Sequence, residues 1–278
     1  MTATPAAELR RANLAGGAWM VAAMAGFAVE DALIKRAAAE MAVGQTLTLF
    51  GLGGAAVFGA LALARGERLF AAGVRSPAML TRAAFEVTGR LFYVLARALT
   101  PLSATTAILQ ATPVVVVIGA AAVFGERVGA LRWAAVALGL VGVMIVLRPA
   151  AEGFSALSIL AVIGMIGFAG RDLASRAAPR SLGGVTLGFH GFLAAAVAGA
   201  LFWAFGGAGV AWPAAGAALA LAGASAVGVF AYAALMRAMR TGEVSAVAPF
   251  RYARLPFGAA LGVVVFGEAL DAATVLGS

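Results

Sequence analysis

The sequence predicts an all-α, polytopic membrane protein of ten spans, and three observations predict it. Apolar residues make up 63% of the 278 residues, charged residues only 12%, and mean hydropathy is +1.00. A soluble domain carries about twice that charge, ~25%. The apolar residues also run in unbroken stretches instead of alternating at a helix or strand period. A stretch of ~18 or more is long enough to cross ~30 Å of hydrocarbon as a helix. Finally, the second half of the chain repeats the first.

The first span, 14–37, follows Arg10 and Arg11 and is longer than the apolar region of a cleaved signal peptide, so it reads as a retained signal anchor. The second runs over 43–64. The third, 78–98, is the most charged, with Arg82, Glu86 and Arg90. Spans four to eight lie at 101–124, 130–147, 155–178, 183–206 and 213–237. The ninth, 243–267, carries Pro249 and Pro256, which each remove a backbone donor and bend a helix. A tenth begins near Asp271, and Ser278 falls early in it, so the tenth helix is expected to be incomplete. Arginines in alternate loops (Arg10, Arg11, Arg65, Arg68, Arg75, Arg127, Arg132, Arg176, Arg180, Arg237, Arg240) outnumber the basic residues of the other side (Lys35, Arg36, Arg97, Arg148). That bias puts the N-terminus in the cytoplasm, and the C-terminus too once the tenth helix is complete.

The repeat divides the chain into 1–150 and 151–278. Met24 to Ala28, ahead of Asp31 and Lys35, matches Met165 to Ala169, ahead of Asp172 and Arg176. Gly44, Thr46, Leu47 and Gly51 match Gly184, Thr186, Leu187 and Gly191. Ser103 matches Ser245, and Phe124-Gly125-Glu126 matches Phe266-Gly267-Glu268. Five spans per copy is an odd number, so the second copy enters the membrane from the opposite side. Inverted repeats of this kind mark secondary transporters, whose site lies near midplane where the copies meet.

The net charge of +8 comes from basic residues scattered between apolar runs, with no single stripe that would bind nucleic acid. There is no cysteine and only one histidine, which argues against a thiolate or histidine metal centre. No cofactor motif, Walker sequence or metalloprotease His-Glu-x-x-His occurs, and no nucleophile and base converge, so an enzyme is not expected. The expected partners are a small-molecule substrate and the lipid bilayer.

The stretches 106–113 (Thr-Ala-Ile-Leu-Gln-Ala-Thr-Pro), Phe124-Gly125-Glu126-Arg127 and 248–252 (Ala-Pro-Phe-Arg-Tyr), with the duplication, resemble the drug/metabolite transporter superfamily in its EamA branch. Within it the chain is similar to the YddG-type exporters of aromatic and other amino acids. The resemblance implies ten helices around a central cavity lined by spans 1, 3, 4, 6, 8 and 9, in a bacterial inner membrane. It also implies alternating-access export of amino acids. The alternative is another flat metabolite, such as a nucleobase or riboflavin.

Ionisable residues inside a span usually face the bundle interior and pair. Glu86 and Arg90, stacked at i, i+4, read either as a zwitterion site or as a self-neutralising pair. Tyr93, Gln110, Tyr232 and Tyr252 complete the candidate substrate-binding set. Phe92 and Phe230 would extend it as an aromatic wall, or serve packing. Asp31/Lys35 and Asp172/Arg176 read as gate latches or as salt bridges steadying helix ends. Glu30 and Arg171, at equivalent positions, would pair only if their helices meet. Pro249 and Pro256 make a hinge around Arg251, while Arg254 reads as snorkelling to the cytoplasmic edge. His190 is a candidate for proton coupling, or a histidine bonded to a neighbour. Gly184-x-x-x-Gly188 and Gly258-x-x-x-Gly262 fit close helix packing, within a monomer or in a homodimer.

Overall fold

The computed structural model describes residues 5–100, 102–148, 155–266 and 272–277. Among these residues every regular element is helical. Helix α1 (Pro5–Ala37) starts earlier than its apolar run, and α2 (Val43–Arg65) ends on Gly66 in the left-handed conformation. A short 3-10 turn leads to α3 (Pro77–Leu99), which opens on a proline where a helix needs no N–H donor. The fourth span is broken into α4 (Leu102–Leu109) and α5 (Thr112–Phe124), with Pro113 opening the second piece. Then follow α6 (Ala130–Leu147), α7 (Ser158–Ala177), α8 (Gly184–Gly206) and α9 (Ala215–Arg240). The ninth span is broken as well. A single helical turn, α10 (Val244–Val247), passes into a 3-10 segment (Ala248–Ala253) containing Pro249, then into α11 (Arg254–Phe266). The last helix, α12 (Ala272–Gly277), lies against α6. Gly267 and Glu268, matched between the repeats, and Asp271, where the tenth span is expected to begin, lie outside the described residues.

Among the described residues, seven helical stretches are long and apolar enough to cross a membrane, the broken fourth span among them. Helix α3 matches them in length at 23 residues but carries Arg82, Glu86 and Arg90. The ninth span is interrupted at Pro249 and carries Arg251 and Arg254. Charge sets α3 apart, and the interruption that leaves α11 only 13 residues long sets the ninth span apart. Large apolar side chains such as Leu63, Leu131, Phe205, Trp212 and Val264 point outward and are exposed. Apolar faces of that extent fit lipid, not water.

Three antiparallel helix pairs form the centre: α1 with α9, α2 with α8, and α3 with α7. The direction is legible in the close contacts, where Gly16 meets Thr241 and Gly26 meets Ala231 on the first pair. Gly44 meets Trp203 and Gly51 meets Ala196 on the second. A Cβ built on Gly51 would stand 2.6 Å from the Ala196 Cα, so only glycine lets α2 and α8 approach this far. Gly167 against Gly89 does the same for α7 and α3. The two spacings expected to mediate close packing do not act as pairs, because Gly184 and Gly258 have nothing within 4 Å. Small residues matter only where another backbone arrives, and that depends on which helix faces them. Phe50, Phe58, Phe192 and Tyr232 stack through the core, with centroids 5.0 to 5.7 Å apart.

Candidate functional site

The charged face of α3 is turned inward. Arg82 and Glu86 are 0% exposed, an arrangement tolerable in the interior only with full pairing. Arg82 donates through Nε to the Ser175 hydroxyl (2.9 Å), and through its terminal amino group to the Leu187 carbonyl (3.0 Å) and the Tyr232 hydroxyl. Tyr232 in turn donates to Glu86 Oε2 (2.7 Å). The other Glu86 oxygen accepts from Arg90 Nε (3.2 Å) and from Arg171 (3.3 Å). Arg171 also donates to Asp172 Oδ1 (2.9 Å), and Asp172 Oδ2 accepts from Arg251. One hydrogen-bonded chain thus joins α3, α9, α7 and the 3-10 segment of the ninth span. Arg90 and Arg251 are its only guanidinium groups with appreciable exposure, 16% and 14%.

Glu86 and Arg90 therefore form an ion pair, and the acid already accepts from three protein donors. Glu30 and Arg171 do not pair: Arg171 turns to Asp172 and Glu86, while Glu30 Oε2 is buried without a hydrogen-bond partner among the described residues. The aspartates of the symmetric latches reach across helices, Asp172 to Arg251 and Asp31 to Arg254. Arg254, read as snorkelling, is part-exposed and ion-paired. It joins Asp31 in the distal half of α1 and stacks over Phe27, 5.4 Å from the ring centroid. Helix α11 packs beside α1, which carries Arg254 to Asp31.

The remaining candidates are spread out. Tyr93 meets Phe168 edge-on at 5.9 Å, and Phe92 is half-buried beside it. Phe230 is exposed, so it does not join Tyr232 in one aromatic wall. Gln110 sits at the break between α4 and α5 and is half-buried. Tyr252 occupies the matching break of the ninth span, its ring against Gly139 and its hydroxyl buried without a partner among the described residues. Pro249 lies in the 3-10 segment and Pro256 in the first turn of α11. His190 Nδ1 lies 2.9 Å from the Thr186 carbonyl oxygen, and its ring is edge-on to Phe189 and Phe70. Lys35 and Arg176 lie in the last turns of α1 and α7.

Sequence reasoning missed a second polar cluster at the end of the bundle. Glu126 accepts the backbone N–H groups of Val244 (2.9 Å) and Ser245 (2.8 Å), capping the start of the ninth span from outside it. Arg132 of α6 donates to Ser245 Oγ (2.6 Å) and to Glu243, whose own N–H donates to Asn13 of α1 (2.8 Å). The Arg132 contact holds the Glu243 carboxyl below its ordinary range. The Phe-Gly-Glu spacing was visible in the sequence. Its target was not, since nothing local links Glu126 to residues more than a hundred positions away.

Two clefts open beside α1. One, of about 300 Å³, is lined by Arg10, Asn13 and Phe250, and the other, of about 240 Å³, by Val29, Phe257 and Leu261.

This architecture is that of a multi-pass membrane protein with a polar centre. Residues 14–148 match the family described as the EamA-like transporter family. A riboflavin transporter of Rhizobium johnstonii is 36% identical over 84 residues, 30% of this chain and 28% of that protein. A riboflavin transporter of Vibrio cholerae serotype O1 is 28% identical over 165 residues, 58% of this chain and 53% of that protein. The chain spans about half, or less, of the length of these curated relatives. A solved structure, titled only as the crystal structure of a protein, is alike in fold. Its TM-score is 0.78 over 96% of this chain and 94% of that one, at 23% identity.

Proposed function

We propose that this protein is a ten-span secondary carrier of the EamA type, built from inverted repeats over 1–150 and 151–278. In this reading it moves a flat heteroaromatic metabolite such as riboflavin across a bacterial inner membrane by alternating access. The observation that carries the reading is the buried chain from Arg82 through Tyr232, Glu86, Arg171 and Asp172 to Arg251. It draws on both halves of the molecule and lies where ionisable groups are otherwise excluded. The helix pairing supports the repeat. Exchanging each span with its counterpart five later turns the α1–α9 pair into the α7–α3 pair and returns α2–α8 to itself.

In this carrier Glu86 and Tyr232 hold the centre, and Arg90, Tyr93, Gln110 and Tyr252 face the substrate. Pro249 and Pro256 form the hinge. Asp31 with Arg254, and Asp172 with Arg251, form the two gates, flanked by Lys35 and Arg176. Glu86 is fully buried and already holds three protein donors, which favours the flat metabolite over a zwitterion whose ammonium would need it. The names of the two curated relatives point the same way. Export of aromatic amino acids is the second reading, favoured by the partly exposed Arg90, which would take a substrate carboxylate. Counterflow in proteoliposomes decides. Transient uptake of labelled riboflavin into riboflavin-loaded vesicles is expected. Uptake of phenylalanine alone would establish the second reading, and silence across both and uracil would overturn the carrier.

A further inference from the structure

Glu86 and Asp172 account for their charge through arginine donors. Glu30 is buried on different terms. Its side chain is 5% exposed and Oε2 has no partner among the described residues. It lies between α1 and α9, where a Cβ built on Gly228 would stand 2.9 Å from Oε2 and 3.0 Å from the Phe50 ring. The charges acting on it are Arg90 of α3, Asp31 of its own helix, Arg254 of α11 and Arg171 of α7. The stretch of α9 facing it, Ser225 to Val229, carries no titratable group, nor does α10. Arg251 of the 3-10 segment, Arg254 and Arg171 are already bound to Asp172, Asp31 and Glu86 with Asp172 respectively. A carboxylate with a buried oxygen that no donor meets is held far more easily as the neutral acid.

We propose that Glu30 is the proton-carrying group of the transport cycle, protonated in the conformation described here and ionised when α1 shifts against α9. This rests on the carrier reading. On ionisation the Glu30 O–H bond breaks and the proton passes to water on the side then open, leaving a carboxylate that Arg90 or Arg171 neutralises. Reprotonation from the other side closes the cycle, so one proton crosses per turnover. The repeat supplies the logic: the position equivalent to Glu30 in the second copy is Arg171, an acid in one half and a permanent cation in the other. His190 is not needed for this, since its ring is held by the Thr186 carbonyl and two phenylalanines.

The test uses the full chain in proteoliposomes with labelled riboflavin, or phenylalanine if that is the solute exchanged. Wild type is expected to show counterflow and, under an imposed pH gradient, accumulation above equilibrium. Glu30→Gln, a mimic of the protonated acid, is expected to keep counterflow and lose the gradient-driven accumulation. Glu30→Asp is expected to keep both. The infrared carbonyl band of a protonated carboxylic acid is expected in wild type and diminished in Glu30→Gln, a readout that needs no transport. Absence of wild-type counterflow would sink the carrier and this inference with it. Counterflow with accumulation indifferent to pH, or still driven in Glu30→Gln, would overturn the role of Glu30 alone. So would an unchanged infrared band, or loss of counterflow in both folded variants.

Discussion

The centre of the bundle and its Glu243 end use the same chemistry at opposite exposures. In the centre, Glu86 and Asp172 are 0% exposed and bridged by arginines from three helices. At the end, Arg132 and Glu243 form their pair at about a quarter exposure, 25% and 24%. Water can replace a lost partner at the end and cannot in the centre. The same type of contact is therefore a structural necessity in one place and a weak tether in the other.

The largest effect is expected from Glu86→Gln. It removes the charge that Arg90 pairs with and one of the two carboxylates that hold Arg171, and breaking one member of a buried pair costs about 3–5 kcal/mol. Thermal unfolding in detergent should show a large fall in Tm, with counterflow lost. Arg132→Ala at the end should cost within ~1 kcal/mol. Equal losses in the two variants would overturn the contrast. A smaller effect is expected from Gly51→Val on the α2–α8 seam. The added side chain meets the Ala196 backbone, and overpacking of this kind costs about 1–3 kcal/mol. Gly184→Val, where nothing lies within 4 Å, should leave Tm unchanged, which sharpens the claim that location and not spacing decides.

The helical fold was legible in the sequence because lipid forces every span to satisfy its own backbone, and long apolar runs record that demand directly. Even α3 was found despite Arg82, Glu86 and Arg90, since their i, i+4, i+8 spacing places all three on one face. The break at Pro249 was written in its proline, whereas the one ahead of Pro113 was not anticipated and shows only in the structure. Partners across helices were not legible. Spacing along one helix offered Lys35 to Asp31 and Arg176 to Asp172, whereas the packed structure brings in Arg254 and Arg251 from the ninth span. An arginine reaches well beyond its own turn, so its partner depends on which helix lies alongside, and local sequence does not encode that. The orphan oxygen of Glu30 was hidden for the same reason: an unmet bond shows only once every neighbour is in place.

At the Glu243 end, the larger of two modest effects belongs to Glu126. Its carboxylate takes two N–H groups at the start of the ninth span, where no residue of α10 caps itself. Glu126→Ala should cost roughly 1 kcal/mol, the usual worth of a helix cap. Glu126→Gln, which keeps an acceptor oxygen, should recover part of it in the same unfolding assay.

The smallest expected effect is a pH dependence at Glu243, which lies in the turn between α9 and α10, ahead of the residue where the structure starts the ninth span. The hydrogen bond from Arg132 is the main cause that lowers its proton affinity when folded, and Asn13 adds to it. A carboxylate whose folded pKa is depressed stabilises the folded state fully above its unfolded pKa, ~4.3 for glutamate. That contribution is lost as pH falls through the lower folded value. Wild type should therefore lose part of its margin over Arg132→Gln as unfolding is followed from about pH 6 down toward about pH 3. In that variant the main cause of the depression is gone and Glu243 returns toward its ordinary range. A margin constant across this window would mean that Arg132 acts on Ser245 alone and that Glu243 is not held as the ion the geometry describes.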